Sequence, residues 1–188
     1  MSTLESSTWK EILTIIRDIS EPIYESIQQP ATKIQLDELE EALQVALPIS
    51  FKQYLTTFNG QSTHIPFMGY NYFLSCEQIL QQTQFWRSAF TEEDRATWVK
   101  EDRIKPVLWA HNWIPITEFE AHSSIVLDLC PGRNGTVGQI FQYYPGMTYE
   151  HVTAVSFEQF SAGILQRLKQ KQYTLEDEVI SFDDYYII

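Results

Sequence analysis

The run Ile125-Val126-Leu127-Asp128-Leu129-Cys130-Pro131, followed by glycines at 132, 135 and 138 and then by Gln139-Ile140-Phe141, restricts the fold more than any other stretch. Aliphatic and β-branched residues precede a Pro-Gly-Arg-Asn-Gly turn, and Val137, Ile140 and Phe141 follow it. This pattern predicts a β-hairpin with a loop longer than two residues. Trp113 to Thr117 predicts a strand leading into it, so the stretch from Trp113 to Phe141 is expected to organise a sheet.

Helices are expected on either side of that sheet. Thr8 and Glu11 suit a capping box, and Trp9, Ile12, Leu13 and Ile16 repeat at helical spacing up to the Ser20-Glu21-Pro22 break. Thr32 and Gln35 start a second helix with Leu36, Leu39, Leu43 and Leu47 on one face and Glu38, Glu40 and Glu41 toward water. Pro48 interrupts it and opens a third helix carrying Phe51, Tyr54, Leu55 and Phe58, which Asn59-Gly60 is expected to close. Phe67 to Leu74 reads as a strand, and Ser75 with Gln78 caps a helix that turns Ile79, Leu80, Thr83, Trp86 and Phe90 inward. Thr91 to Lys105 is charged and poorly periodic and reads as a loop or a short surface helix around Trp98, with a strand resuming at Val107 to Trp109. Val152 to Val155 predicts a last strand, and Ser156 caps a helix burying Phe157, Phe160, Ile164, Leu165 and Leu168.

Helices first and last with strands between them indicate an α+β fold with a single, largely antiparallel sheet flanked by helices. Residues 1–29 are expected to form an N-terminal helix region packing on the domain, residues 30–170 the α+β domain itself, and residues 171–188 an acidic, aromatic C-terminal tail. Tyr185-Tyr186-Ile187-Ile188 is too apolar for a wholly free end and is expected to dock on the domain or a partner.

A chain of 188 residues, 44% hydrophobic and 14% aromatic, buries a full core without disulfides or metal. Its 25 acidic and 13 basic residues give a net charge of -12, which argues against a nucleic-acid ligand and favours a basic protein partner. A solvated surface accounts for the same charge. Cys76 and Cys130 belong to no ligand spacing and read as free thiols of a reducing compartment. The N-terminus lacks the pattern of a signal peptide, and no apolar run approaches the roughly eighteen residues of a membrane span. A cytoplasmic protein without membrane association is the expectation.

Chemistry is sparse. Gly132, Gly135 and Gly138 precede a strand where a dinucleotide fingerprint would open a helix, so they read as turn glycines. His64, His111, His122 and His151 are scattered singly, and no metal or cofactor is expected. Cys130 beside Asp128, with a histidine brought in by the fold, is the one arrangement suited to nucleophilic catalysis. The competing reading makes Asp128, Gly135, Gly138 and Gln139 a structural turn and Cys130 a small core residue. Trp109 and Trp113, with Tyr143 and Tyr144 on the returning strand, are candidate partner-binding residues lining an aromatic groove, or else core.

Two blocks of residues carry a resemblance. Pro30-Ala31-Thr32, Leu36, Glu40, Leu43, Leu47-Pro48, Phe51, Tyr54-Leu55 and Asn59-Gly60 form the first. Trp113-Ile114-Pro115, Asp128-Leu129-x-Pro131, Gly135, Gly138-Gln139 and Ser156-Phe157 form the second. Together, over about Pro30 to Leu168, they resemble the fungal cell-wall assembly regulator (Smi/Knr-type) family of the SUKH superfamily. The resemblance implies a SUKH-like α+β domain without established catalytic residues, a binding protein rather than an enzyme. Its bacterial members resemble immunity proteins that neutralise a cognate toxin, often a nuclease, and its fungal members resemble regulatory interaction hubs. The reading placed first is accordingly a non-catalytic, immunity-type protein that binds a basic toxin or effector. A regulatory or scaffold protein comes second and an enzyme built on Cys130 and Asp128 third. Two positions depart from the family pattern: Gln44 stands where glycine is usual between the two N-terminal helices, and Ala121-His122 where a Gly-Asp turn is common.

Overall fold

Alternation along the central strands sends side chains to both faces of a four-stranded antiparallel sheet, and both faces are buried. The computed structural model describes residues 4–62, 65–67, 71–97, 102–118, 123–145, 151–176 and 179–182. In chain order the described elements are α1 (Leu4–Ile19), α2 (Glu21–Ser26), α3 (Lys33–Leu43), α4 (Ile49–Leu55), β1 (Tyr72–Phe73), α5 (Cys76–Ala89), β2 (Trp113–Pro115), β3 (Thr117–Glu118), β4 (Ser124–Asp128), β5 (Gln139–Tyr143), β6 (Val152–Ala154), α6 (Phe157–Lys169), β7 (Thr174–Glu176) and β8 (Val179–Ser181). The main sheet has the order β2-β4-β5-β6. β1 pairs with β3, and β7 with β8. The fold is α+β, its largest sheet antiparallel and flanked by helices.

Ile114, Ile125, Leu127, Ile140 and Ala154 join a first core with Trp9, Ile12 and Ile16 of α1, Leu36, Leu39 and Leu43 of α3, Phe51 and Tyr54 of α4, and Phe157, Phe160 and Ile164 of α6. Trp9 is fully buried at its centre, with ring centroids 4.9 Å from Tyr54, 5.5 Å from Phe58 and 5.4 Å from Phe73. Edge and tilted ring pairs of this kind add about 0.5–1.5 kcal/mol each beyond area burial. The alternate residues Trp113, Val126, Phe141, Tyr143 and Val152 face a second core with Trp86, Ala96, Ile104, Val107 and Trp109. α5 serves both cores, giving Ile79 to the first and Trp86 to the second.

The capping boxes at Thr32/Gln35 and Ser75/Gln78 form as the sequence indicates, and Ser156 caps α6. Elsewhere the structure corrects the sequence reading. α1 begins at Leu4, so Thr8 lies inside the helix and is not its cap. α4 ends at Leu55, and Asn59-Gly60 does different work: the Asn59 side-chain oxygen accepts from the Cys76 N–H at 2.8 Å. A Cβ on Gly60 (φ +69°) would lie 2.4 Å from the Leu74 carbonyl carbon, so this glycine permits a close backbone crossing at the start of α5. Val107 to Trp109 is not a strand; Val107 makes a single bridge to Arg95. Val137 is 66% exposed in a connection that runs from Leu129 to Gly138, longer than the expected turn. The tail forms the β7–β8 hairpin, whose Ile180 is buried in the first core, and the Arg167 guanidinium sits 5.9 Å over the Phe182 ring. Trp98, the Ala121-His122 pair and Tyr185 to Ile188 lie outside the described residues.

Gln44, the position where the family pattern has glycine, ends α3 in the left-handed region (φ 58°, ψ 38°), its N–H reaching the Glu40 and Glu41 carbonyls. The turn therefore keeps glycine geometry with an L side chain in it, at a conformational cost. Gln44→Gly is expected to raise unfolding free energy by about 0.5–1 kcal/mol, the relieved strain exceeding the added unfolded-state entropy. Gln44→Val should lower it by about 1 kcal/mol or more. Urea unfolding midpoints at constant m-value check both.

Candidate functional site

The end of β4 and the connection after it gather most of the residues that the sequence marks for chemistry. Asp128 is fully buried, opposite Gln139 in the β4–β5 register. One carboxylate oxygen accepts from the Cys130 N–H at 2.9 Å, and the other from the Gln139 side-chain amide at 2.8 Å. The same Gln139 amide donates to the Arg103 carbonyl at 2.7 Å, while its oxygen accepts from the Thr136 N–H at 3.0 Å. Gly132 N–H donates to the Arg103 carbonyl and Asn134 N–H to the Asp102 carbonyl. A Cβ on Gly135 would stand 2.2 Å from the Arg103 oxygen, which explains a glycine there. Gly138, at φ +90°, donates its N–H to the Asp128 carbonyl at 2.7 Å. Asp128, Gly135, Gly138 and Gln139 thus meet in one hydrogen-bonded turn that also clamps the Asp102–Arg103 backbone.

Burial pushes the Asp128 carboxyl up to about 6, against the pull of hydrogen bonds from Gln139, the Cys130 backbone and Trp113 and of the Lys105 charge. The neighbouring Cys130 is half-buried, and burial, then the Asp128 charge, push its thiol upward, opposed by the Asn112 backbone and Lys105. A nucleophilic thiol needs the reverse shift and a base. Among the described residues the side chains acting on Cys130 include Asp128, Lys105, Glu92 and Arg87, and no histidine is among them. Cys76 is buried at the start of α5, its thiol pushed up to about 11 by desolvation.

The four aromatic candidates occupy different ground from the groove imagined for them. Trp109, Trp113 and Tyr143 are 1%, 0% and 2% exposed, and Tyr144 is half-buried. Trp109 stacks on Trp86 at 5.2 Å and meets Trp113 and Tyr143 edge-on at 5.6 and 5.0 Å, while the Tyr143 hydroxyl donates to the Leu108 carbonyl at 2.9 Å. The cause is the segment before β2, read as surface from its charge, which lays Ala96, Ile104 and Val107 over this face of the sheet. Three of the four candidates therefore meet a partner only if the domain opens.

Sequence reasoning missed a polar cluster beside them. Arg87 of α5 donates from Nε to the His111 carbonyl at 2.8 Å and from Nη2 to the Leu43 carbonyl at 3.0 Å, capping the end of α3. Glu92 accepts from the His111 N–H at 3.1 Å and from Lys105 Nζ at 3.3 Å, and the His111 backbone bond holds its carboxyl below the usual range. Burial, then Arg87, lower the His111 imidazole. Arg87, Glu92 and His111 line a cleft of about 180 Å³ with Phe90, Thr91 and Trp109. Glu40 was also missed as a structural residue: it accepts from the Leu47 N–H at 2.7 Å and from Lys52 Nζ at 3.0 Å, pinning the joint between α3 and α4. The sole sequence signal for it was its place in the first family block. Among the described residues no group of three His, Cys, Asp or Glu side chains is placed to hold a metal, and His64 and His122 lie outside them. No described helix is long and apolar enough to cross a membrane.

These parts define a helix-flanked antiparallel-sheet domain whose polar residues around the sheet serve its own backbone. The chain belongs to the SMI1/KNR4 family (SUKH-1), whose family model matches residues 30–163. It is 23% identical over 190 residues to a cell wall biosynthesis/cell cycle regulator, smi1, of Schizosaccharomyces pombe, covering 92% of this chain and 38% of that protein. It is 22% identical over 214 residues to a glucan synthesis regulatory protein of Neurospora crassa, covering 92% and 40% respectively. The chain thus spans about two fifths of the length of these relatives.

Asp128 supplies a pH test of the turn. Its folded value, about 6, exceeds the ordinary 3.8, so between these values the native state binds the proton the more tightly and stability rises as pH falls. Asp128→Asn lacks this titration while sharing every other carboxylate. The wild-type minus variant difference in unfolding free energy is expected to shift toward the wild type by about 1.4 kcal/mol per pH unit at most as pH drops from 6 toward 4, measured by urea titration. A difference independent of pH would mean that the carboxylate is not buried as described.

Proposed function

We propose that this chain is a regulatory protein-interaction domain without catalytic activity of its own. Membership of the SMI1/KNR4 family carries the reading, and the two relatives, both named as regulators, support it over the immunity-type role placed first from sequence. The setting of Cys130, with its thiol pushed up and no histidine among the described residues acting on it, favours binding over catalysis. The net charge of -12 favours a basic protein partner over nucleic acid or an acidic membrane. The same charge supports neutralisation of a basic toxin as a second reading. A cytoplasmic setting suits both.

Affinity capture with the full chain, followed by titration of the purified partner, tests the proposal. A saturable complex is expected, with an association rate that falls as salt rises and a partner chemically unchanged after binding. Several partners, none toxic, favour regulation; a single basic effector whose toxicity the chain abolishes favours immunity. A partner that leaves altered, with the alteration lost in a Cys130→Ser, Asp128→Asn double variant, refutes the non-catalytic reading.

A further inference from the structure

α3 and α5 lie side by side and run in the same direction, with Gln35 to Leu39 beside Cys76 to Leu80 at one end and Leu43 beside Arg87 at the other. Between their first halves is a groove of about 300 Å³ lined by Gln35, Glu38, Leu39, Cys76, Glu77 and Leu80, near the lower size of ligand pockets. Its floor is aliphatic and its rim carries carboxylates without a basic residue. Ile34, one helical turn before Glu38 on the same face, is 68% exposed and extends the apolar surface.

Among the acids of α3, Glu38 and Glu41 have no side-chain ion pair or hydrogen bond among the described residues, and of these two Glu38 lines the groove. Asp37 is paired with Lys33, and Glu40 with Lys52 and the Leu47 N–H. Glu38, at the rim, has no ion pair or hydrogen bond from its side chain among the described residues, and Glu77 across the groove meets the Gln81 amide alone. An aliphatic floor between two carboxylates without basic partners is complementary to a segment that presents an apolar side chain flanked by Lys or Arg.

We infer that the α3–α5 groove is the docking site for a cationic, aliphatic-anchored segment of a protein partner. The inference rests on the interaction role proposed above and names its surface and the chemistry of what it binds. It also moves the surface away from Trp109, Trp113 and Tyr143, which are buried on the other side of the sheet.

Amide-resolved NMR titration of the full chain with a short peptide of repeated Leu-Lys-Lys units, and with its Leu-Glu-Glu counterpart, tests it. Shifts on Gln35 to Leu39 and Cys76 to Leu80 are expected with the cationic peptide alone. Glu38→Gln/Glu77→Gln should weaken binding about tenfold at low salt, whereas Glu25→Lys/Glu93→Lys, on other elements, should change it less than about twofold. An unchanged amide spectrum elsewhere shows that the variants fold. Equal affinity of the groove variant, shifts spread over other acidic faces, or no binding of the cationic peptide overturns the inference. If the groove variant captures the same partners as the wild type with equal affinity, the groove is excluded while the interaction role stands. If the wild-type chain captures none, it is the role that fails.

Discussion

A sheet of four short strands with apolar residues on both faces must be covered twice, and the rest of the structure follows from how the chain meets that demand. The helical layer covers one face with side chains at helical spacing from α1, α3, α4 and α6. The other face is covered by the end of α5 and by irregular chain before β2. Irregular chain satisfies fewer of its own backbone groups than a helix does, so side chains of neighbouring elements and of the segment itself hold others. This is what the polar residues near the sheet do: Gln139 takes the Arg103 carbonyl, Arg87 the His111 carbonyl, Glu92 the His111 N–H and Tyr143 the Leu108 carbonyl. The same logic operates on the helical side, where fully packed Gln61 accepts from the Phe73 N–H and donates to Ser26 and the Ile65 carbonyl.

Asp128 sits where these requirements meet. A buried carboxylate is costly unless hydrogen-bonded, and here it receives donors from the strand end and from the opposing strand at once. Desolvation still outweighs them, as the upward displacement of its titration shows. The group is therefore held in its turn by its hydrogen bonds at a desolvation cost. Cys130 shares this environment, and what desolvates the carboxylate also keeps the thiol protonated.

Local signals in the sequence made the capped helices and the hairpin legible. Thr32, Ser75 and Ser156 each precede a regular apolar stripe, and Leu36, Leu39, Leu43, Phe157, Phe160 and Ile164 are buried as periodicity indicates. The order of Asp128 and the glycines along the chain indicates a turn. What failed was the segment from Thr91 to Lys105 and with it the aromatic groove. Its charges suggested surface, but Ala96 and Ile104 are separated by too many polar residues to show a period, although each is buried by tertiary contact. Nothing local distinguishes an aromatic strand face covered by such a segment from one left open. The β7–β8 hairpin was lost for a related reason: the acids Glu176, Asp177 and Glu178 mask a strand pair in which Ile180 is the one fully buried residue among those described. Glu40 and Gln61 act through partners far along the chain, and residue type alone carries no mark of that.

Covering both faces of the sheet also decides where a partner can bind. A domain that uses its aromatic residues as core leaves outer helix faces and loops as contact surface, and on those charge sets the approach of a partner more than apolar area does. α3 differs along its length in this respect. Glu40 ties it to α4 and Arg87 ties its last turn to α5, whereas the exposed Ile34 and Glu38 have no such ties among the described residues. A partner seated there would touch elements already fixed by two capping boxes, so little ordering would be required of the domain, and the affinity would come from contacts the chain leaves unfilled.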